Sequence, residues 1–294
     1  MLFQSQRLEH RVPESRALVT SFVASAFGRP RRPAGSGPFW PTLTAIAVGV
    51  ASFAAAFAAA KFLLDAWTIT EARRLPLWLV DISGKVSAYG KSGWLLWPLA
   101  GLLVLSLAAG MWTLRRADRL IFSAMALRLA FLLAAIGLPG LFAGILKPLI
   151  GRARPYLTGQ PDAFFYAPFA YFREIFVGSI PFPEYAFGSM PSGHAANAVA
   201  IAVAFTALWP RLWPLVWTYA LVICATRLTI AVHHPTDVMV GAAIGGIGAL
   251  MVRNYFAERR WVFAVDSEGA VRAMPGPGLL RTLRAVARLR KRKL

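Results

Sequence analysis

The sequence predicts an all-α, polytopic membrane protein with six transmembrane helices in a bundle. Composition, the length of the apolar runs and the placement of charge carry that prediction. Of 294 residues, 57% are hydrophobic and 15% charged, and the mean hydropathy is +0.55, more apolar than a soluble domain can bury. Lys and Arg number 32 against 13 Asp and Glu, a net charge of +19. These cations sit between apolar runs and at the two ends, as membrane topology places them, and do not form a nucleic-acid-binding surface. One cysteine, Cys224, excludes an internal disulfide and a Cys-based zinc site.

Residues 1–39 contain Gly-Arg-Pro-Arg-Arg-Pro and Gly-Ser-Gly-Pro and read as a basic, flexible cytoplasmic arm. The membrane domain then runs over residues 40–252. A crossing helix needs roughly 20 mostly apolar residues, and six stretches qualify: Trp40 to Leu64, Gly93 to Leu114, Leu120 to Leu146, Pro191 to Trp209, Leu212 to Val232 and Pro235 to Val252. Lipid satisfies no exposed backbone polar group, and the runs are too long and continuous for barrel strands. The first begins too late and runs too long for a cleaved signal peptide, so it reads as a permanent anchor. Lys61 and Asp65, four apart near its end, are spaced to pair. Arg128, within the third run, reads as snorkelling to the inner surface, with pairing inside the bundle as the alternative. With the N-terminus inside, Arg115, Arg116, Arg119, Arg211 and the basic ends fall on one side. The positive-inside rule therefore places both termini in the cytoplasm.

Residues 253–294 form a basic cytoplasmic tail. Trp261 to Val265 and Ala270 to Met274, separated by Asp-Ser-Glu-Gly, predict a small hairpin. Beyond Pro-Gly-Pro-Gly, Leu279, Leu280, Leu283, Val286 and Leu289 recur at helical spacing among Arg281, Arg284 and Arg288. A basic amphipathic helix of this kind lies along an anionic inner leaflet.

Three segments at helix ends carry the chemistry: Lys147 through Arg154-Pro155, Pro191-Ser192-Gly193-His194, and Arg227 through His233-His234-Pro235-Thr236-Asp237. Up-and-down connectivity brings all three to the outer membrane face, which places an active site there. Lys147, Arg154 and Arg227 supply fixed positive charge for an oxyanion such as phosphate. Ser192 and Gly193 fall in the first turn of a helix, where free N–H groups and the dipole attract anions, with Pro191 at the first helical position. His233 stands four residues before Asp237, a spacing at which a carboxylate fixes the imidazole tautomer and leaves the other nitrogen as nucleophile or base. His194 is the natural proton donor to a leaving oxygen. No set of residues has metal-ligand spacing, so the cations take the place of a divalent ion and no cofactor is expected. Arg152 and Arg173 read as interfacial anchors, His234 and His10 as bystanders, and Cys224 as packing.

The spacing from Lys147 to Arg154-Pro155, then Pro191-Ser192-Gly193-His194, then Arg227 to His233 to Asp237 resembles the three-part signature of the type 2 phosphatidic acid phosphatase (PAP2) superfamily, which shares its site with vanadium haloperoxidases. The resemblance spans Lys147 to Asp237 by motif, with Thr226 where the family usually has Ser. It implies that His233, oriented by Asp237, attacks phosphorus to give a phosphohistidine. His194 would protonate the leaving group, and Lys147, Arg154, Ser192, Gly193 and Arg227 would hold the phosphoryl group. Choosing His233 over His194 as nucleophile rests mainly on the family.

The expected function is therefore a metal-independent lipid phosphate phosphohydrolase, in the inner membrane of a bacterium, with its site on the periplasmic side. The expected partners are a lipid phosphate substrate, the bilayer and an anionic inner leaflet touched by the tail, with no nucleic acid. Aromatic residues between Phe164 and Phe187 suit a lip through which a lipid enters. The alternatives are a lipid-to-lipid phosphotransferase using the same site and, from another class, a non-enzymatic anion or lipid transporter. A carrier needs the cations but not an oriented nucleophile and acid.

Overall fold

The structure is a computed structural model that describes residues 40–156, 166–169 and 186–290. The N-terminal arm, Arg173, most of the aromatic loop and the last four residues lie outside the described residues. The chain enters through α1 (Leu43–Leu63), an Ala-rich apolar helix whose first turn is capped by Thr42, with its hydroxyl accepting from the Ala45 amide at 3.2 Å. Two short helices, α2 (Asp65–Ala72) and α3 (Leu77–Ser87), and a single 3-10 turn at Ala88–Gly90 lead into α4 (Gly93–Trp112) and then α5 (Arg116–Ile150). After the loop come α6 (Gly193–Leu208), α7 (Trp213–Thr229) and α8 (Pro235–Glu258).

Five helical spans among the described residues are long and apolar enough to cross a membrane: α1, the run Leu77–Trp112, α5, Pro210–Thr229 and α8. The chain is an integral membrane protein. The remaining apolar helix, α6, has 16 residues and rises only about 24 Å. It occupies the middle of the bundle, against α5, α7 and α8. Ala195, Ala196, Ala198, Ala200, Ala202 and Ala204 are all buried, small side chains that let neighbouring backbones approach. At Gly241 and Gly245 of α8, a Cβ would stand 2.3 and 2.1 Å from the carbonyl oxygens of Ser192 and Ala196. The α6–α8 contact therefore requires glycine at both positions. By contrast, α1 buries only Ala60 and α4 only Leu99 and Ser106. Their apolar surfaces on every side suit lipid as the solvent.

The aromatic core lies toward the other end of α5 and α8. Phe131 packs edge-on to Phe256 and Phe263 with centroids 5.5 and 4.8 Å apart, and Trp261 adds a third edge contact to Phe256 at 5.1 Å. This packing carries α8 to Glu258, past the end of the apolar run at Val252 read from sequence. A hairpin follows, β1 (Phe263–Val265) antiparallel to β2 (Val271–Ala273), with Phe263 opposite Ala273. The amphipathic helix α9 (Leu279–Arg290) then returns to α5.

Arg128 departs from the snorkelling expectation. Its guanidinium donates to the Ala124 carbonyl at 2.9 Å and to the Met274 carbonyl at 2.7 Å, tying α5 to the strand end after β2. A folded tail supplies the acceptor that sequence spacing alone left to the headgroups.

Candidate active site

The end of α5, the start of α6, the end of α7 and the start of α8 meet beside the end of α1. α5 stops at Gly151, left-handed with φ 60°, whose amide donates to the Lys147 carbonyl at 2.8 Å. A Cβ there would lie 2.1 Å from the Ala167 carbonyl oxygen, so only glycine lets the chain turn and cross the bundle. α6 starts two residues later than sequence placed it: Ser192 is the N-cap and Gly193 the first helical residue, with Pro191 outside the helix. The Ser192 amide donates to the Asp237 carbonyl at 2.9 Å, joining the second and third segments.

Lys147 Nζ donates to the carbonyls of Gly188 (2.7 Å) and Pro191 (2.9 Å), which holds its ammonium beside the start of α6. A Cβ at Gly193 would touch Lys147 Cε at 3.8 Å. Ser192 makes no side-chain cap, and its buried hydroxyl has no partner among the described residues. The helix start thus lies directly beside the lysine side chain. Arg154 approaches the Val232 carbonyl at 3.4 Å, and burial pulls its guanidinium pKa below the usual value. Arg227 donates to the Ser87 hydroxyl at the end of α3. His194 lies within electrostatic reach of Arg227, Lys147, Lys91 and Arg154. Its ring packs on Gly90, where a Cβ would come within 2.6 Å of Cδ2.

His233 is buried, and its Nδ1 is 3.7 Å from Asp237 Oδ2, just outside hydrogen-bond reach. Burial, reinforced by the charges of Lys147 and Arg154 and opposed by Asp237, pushes its pKa down to about 3. The ring is therefore neutral near pH 7, the form that can attack an electrophile. Asp237 is shared more widely than its spacing from His233 suggested. Oδ1 accepts from Arg152 at 2.6 Å, and Oδ2 accepts from the Ser189 hydroxyl at 2.6 Å and the His234 amide at 2.8 Å. The His234 ring also turns toward this carboxylate, with Nδ1 3.4 Å from Oδ2. It is not the outward-pointing bystander read from sequence.

Arg152 overturns its reading as an interfacial anchor. It is fully buried, with Nη1 on Thr236 and Asp237 and Nη2 on Asp65 at 2.7 Å. Burial pulls its pKa down, but Asp237 and Asp65 outweigh that and hold the guanidinium charged. Asp65, Ser87, Gly90 and Ser189 also escaped the sequence reading. The Lys61–Asp65 pair forms at 3.4 Å, but nothing in local spacing shows that Asp65 also serves Arg152, 87 residues away.

The PAP2 superfamily model matches residues 128–261. The matched stretch contains all three segments, so the family model agrees with the resemblance they carry. Two curated relatives, both named Lipid A 1-phosphatase, come from Rhizobium etli and Rhizobium johnstonii. Each is 29% identical over 140 residues, which is 48% of this chain and 55% and 52% of the relatives. The match thus spans about half their length. The chain also superposes on two solved structures. With the PAP2 type phosphatidylglycerolphosphate phosphatase of Bacillus subtilis it shares 19% identity and a TM-score of 0.46, over 70% of this chain and 94% of that one. With Aquifex aeolicus LpxE the identity is 23% and the TM-score 0.45, over 66% and 96%.

Proposed function

We propose that the chain is a metal-independent lipid phosphate phosphohydrolase working through a phosphohistidine. The observation that carries this reading is the buried, neutral His233 imidazole beside the Asp237 carboxylate and within the field of Lys147 and Arg154. In this scheme Nε2 of His233 attacks phosphorus as the P–O bond to the lipid breaks, and His194 gives a proton to the departing oxygen. Water, deprotonated by His194, then attacks the phosphohistidine. The P–N bond breaks, inorganic phosphate leaves and both imidazoles regain their starting states. Lys147, Arg154, Arg227, Ser192 and the Gly193 amide would hold the phosphoryl oxygens as charge builds on them, each good donor contributing about 3 to 4 kcal/mol.

The relatives' name supports a lipid A-type phosphate as substrate. The bacterial relatives and the basic inner-side residues support an inner-membrane location with cytoplasmic termini and a periplasmic site. α9 would lie on the anionic inner leaflet, since Leu279, Leu280, Leu283 and Val286 are exposed beside Arg281 and Arg284.

The test is phosphate release from a panel of lipid phosphates by purified protein in EDTA. His233→Ala and His194→Ala should each lower turnover at least about 10²-fold, and full activity in either variant rejects the scheme. Label passing to a second lipid rather than to phosphate would instead support the phosphotransferase. Lipid binding without phosphate release in wild-type protein would support a carrier.

A further inference from the structure

We propose that Asp65, outside the three motif segments, and Arg152, within the first of them, form a brace that positions the Asp237 carboxylate against His233 and so sets the geometry of the nucleophile. The inference rests on the phosphohistidine reading above.

The brace is a closed set of bonds. Arg152 reaches Asp237 Oδ1 through Nη1 at 2.6 Å and Asp65 Oδ2 through Nη2 at 2.7 Å, so one rigid guanidinium spans two carboxylates. Thr236 fills the angle between them, accepting from Arg152 Nη1 at 2.7 Å and donating to Asp65 Oδ2 at 2.7 Å. Asp65 Oδ1 also accepts from the Thr236 amide at 3.1 Å. A carboxylate carried on α2 thus caps the first turn of α8, the turn that holds Asp237. Ser189 and the His234 amide fix the other oxygen of Asp237. Lys61 lies 3.4 Å from Asp65, so two cations face two anions and the buried cluster is neutral. Every member except Lys61 is buried to 1% exposure or less.

A buried ion pair is a poor source of stability compared with apolar packing. What this one supplies is direction, since both oxygens of Asp237 are fixed while its edge toward His233 Nδ1 stays open at 3.7 Å. Asp65, Arg152 and Thr236 are bonded to one another and to Asp237, which makes them positioning residues. They should act on kcat and leave KM alone.

The experiment measures kcat and KM for phosphate release by full-length protein carrying Asp65→Asn or Thr236→Val, each alone and in an Asp237→Asn background, with His233→Ala as reference. Displacing a catalytic group by about 1 Å can cost up to about 100-fold, so each single variant should lose at least about tenfold in kcat with KM within about twofold. Both losses should vanish when Asp237 is already Asn, because the brace then has nothing to aim. Thr236→Val removes one neutral hydroxyl and decides the matter if Asp65→Asn does not fold. Wild-type kcat in the folded variants, or the same loss in both backgrounds, overturns the brace. Full activity of His233→Ala overturns the phosphohistidine reading instead.

Discussion

Arg288 of α9 donates through Nε to Asp118 Oδ2 at 2.9 Å and through Nη2 to the other oxygen of the same carboxylate, 170 residues apart in sequence. This forked pair joins the last helix to the first turn of α5, and it holds the Arg288 pKa above the usual value. Asp118→Asn should free α9: amide exchange across Leu279–Arg290 accelerates while phosphate release stays at the wild-type level. Unchanged exchange would show that Ala285 packing alone secures the helix.

His233 makes stability depend on pH. Its folded pKa is about 3, below the ordinary value near 6.5. Between those values the unfolded chain therefore binds a proton that the folded chain refuses. The contribution is fully present above about pH 6.5 and is lost as pH falls toward 3. Thermal melting in detergent should drop over that window, and His233→Gln should flatten the slope. An equal slope in the variant would assign the acid sensitivity to other groups.

Gly90→Ala places a methyl 2.6 Å from His194 Cδ2 and 2.8 Å from Ile223 Cγ2. The backbone has little freedom to yield, since the neighbouring Tyr89 carbonyl accepts from the Tyr219 hydroxyl at 2.9 Å and from Trp94 Nε1 at 2.7 Å. The expected result is a loss of about 1 to 3 kcal/mol in stability together with a drop in kcat of about tenfold or more as the ring is displaced. Kinetics on the folded fraction separate the two effects.

Ser87→Ala removes the hydroxyl that receives the Arg227 guanidinium. Arg227 keeps its charge but loses its aim, so kcat/KM for a lipid phosphate should fall by about tenfold. An unchanged value would mean that Arg227 is oriented by its own helix.

The parts of this molecule legible in the sequence are those written locally. Apolar runs gave the long helices, and the order of Lys147, His194 and His233 gave a cluster at helix ends, because antiparallel packing leaves few other arrangements. Helix α3 escaped because Asp81 and Lys85 interrupt its apolar character. Those two residues pair with each other at 2.7 Å on its exposed surface and leave the helix intact. Arg152 escaped for a different reason. An arginine at a helix end is usually solvated, and only the fold brings Asp65 and Asp237 to it from opposite sides. Arg128 was misjudged in the same way, since its acceptor is a backbone carbonyl 146 residues further on.

Asp65, Ser87 and Gly90 all precede residue 128, where the family match begins. The signature segments are therefore not a portable module. A chimera that grafted residues 128–261 behind a foreign membrane anchor would inherit both histidines and all three motif cations. It would also inherit an Arg152 facing an empty place, and engineering of this scaffold has to carry the first three helices along with the motifs.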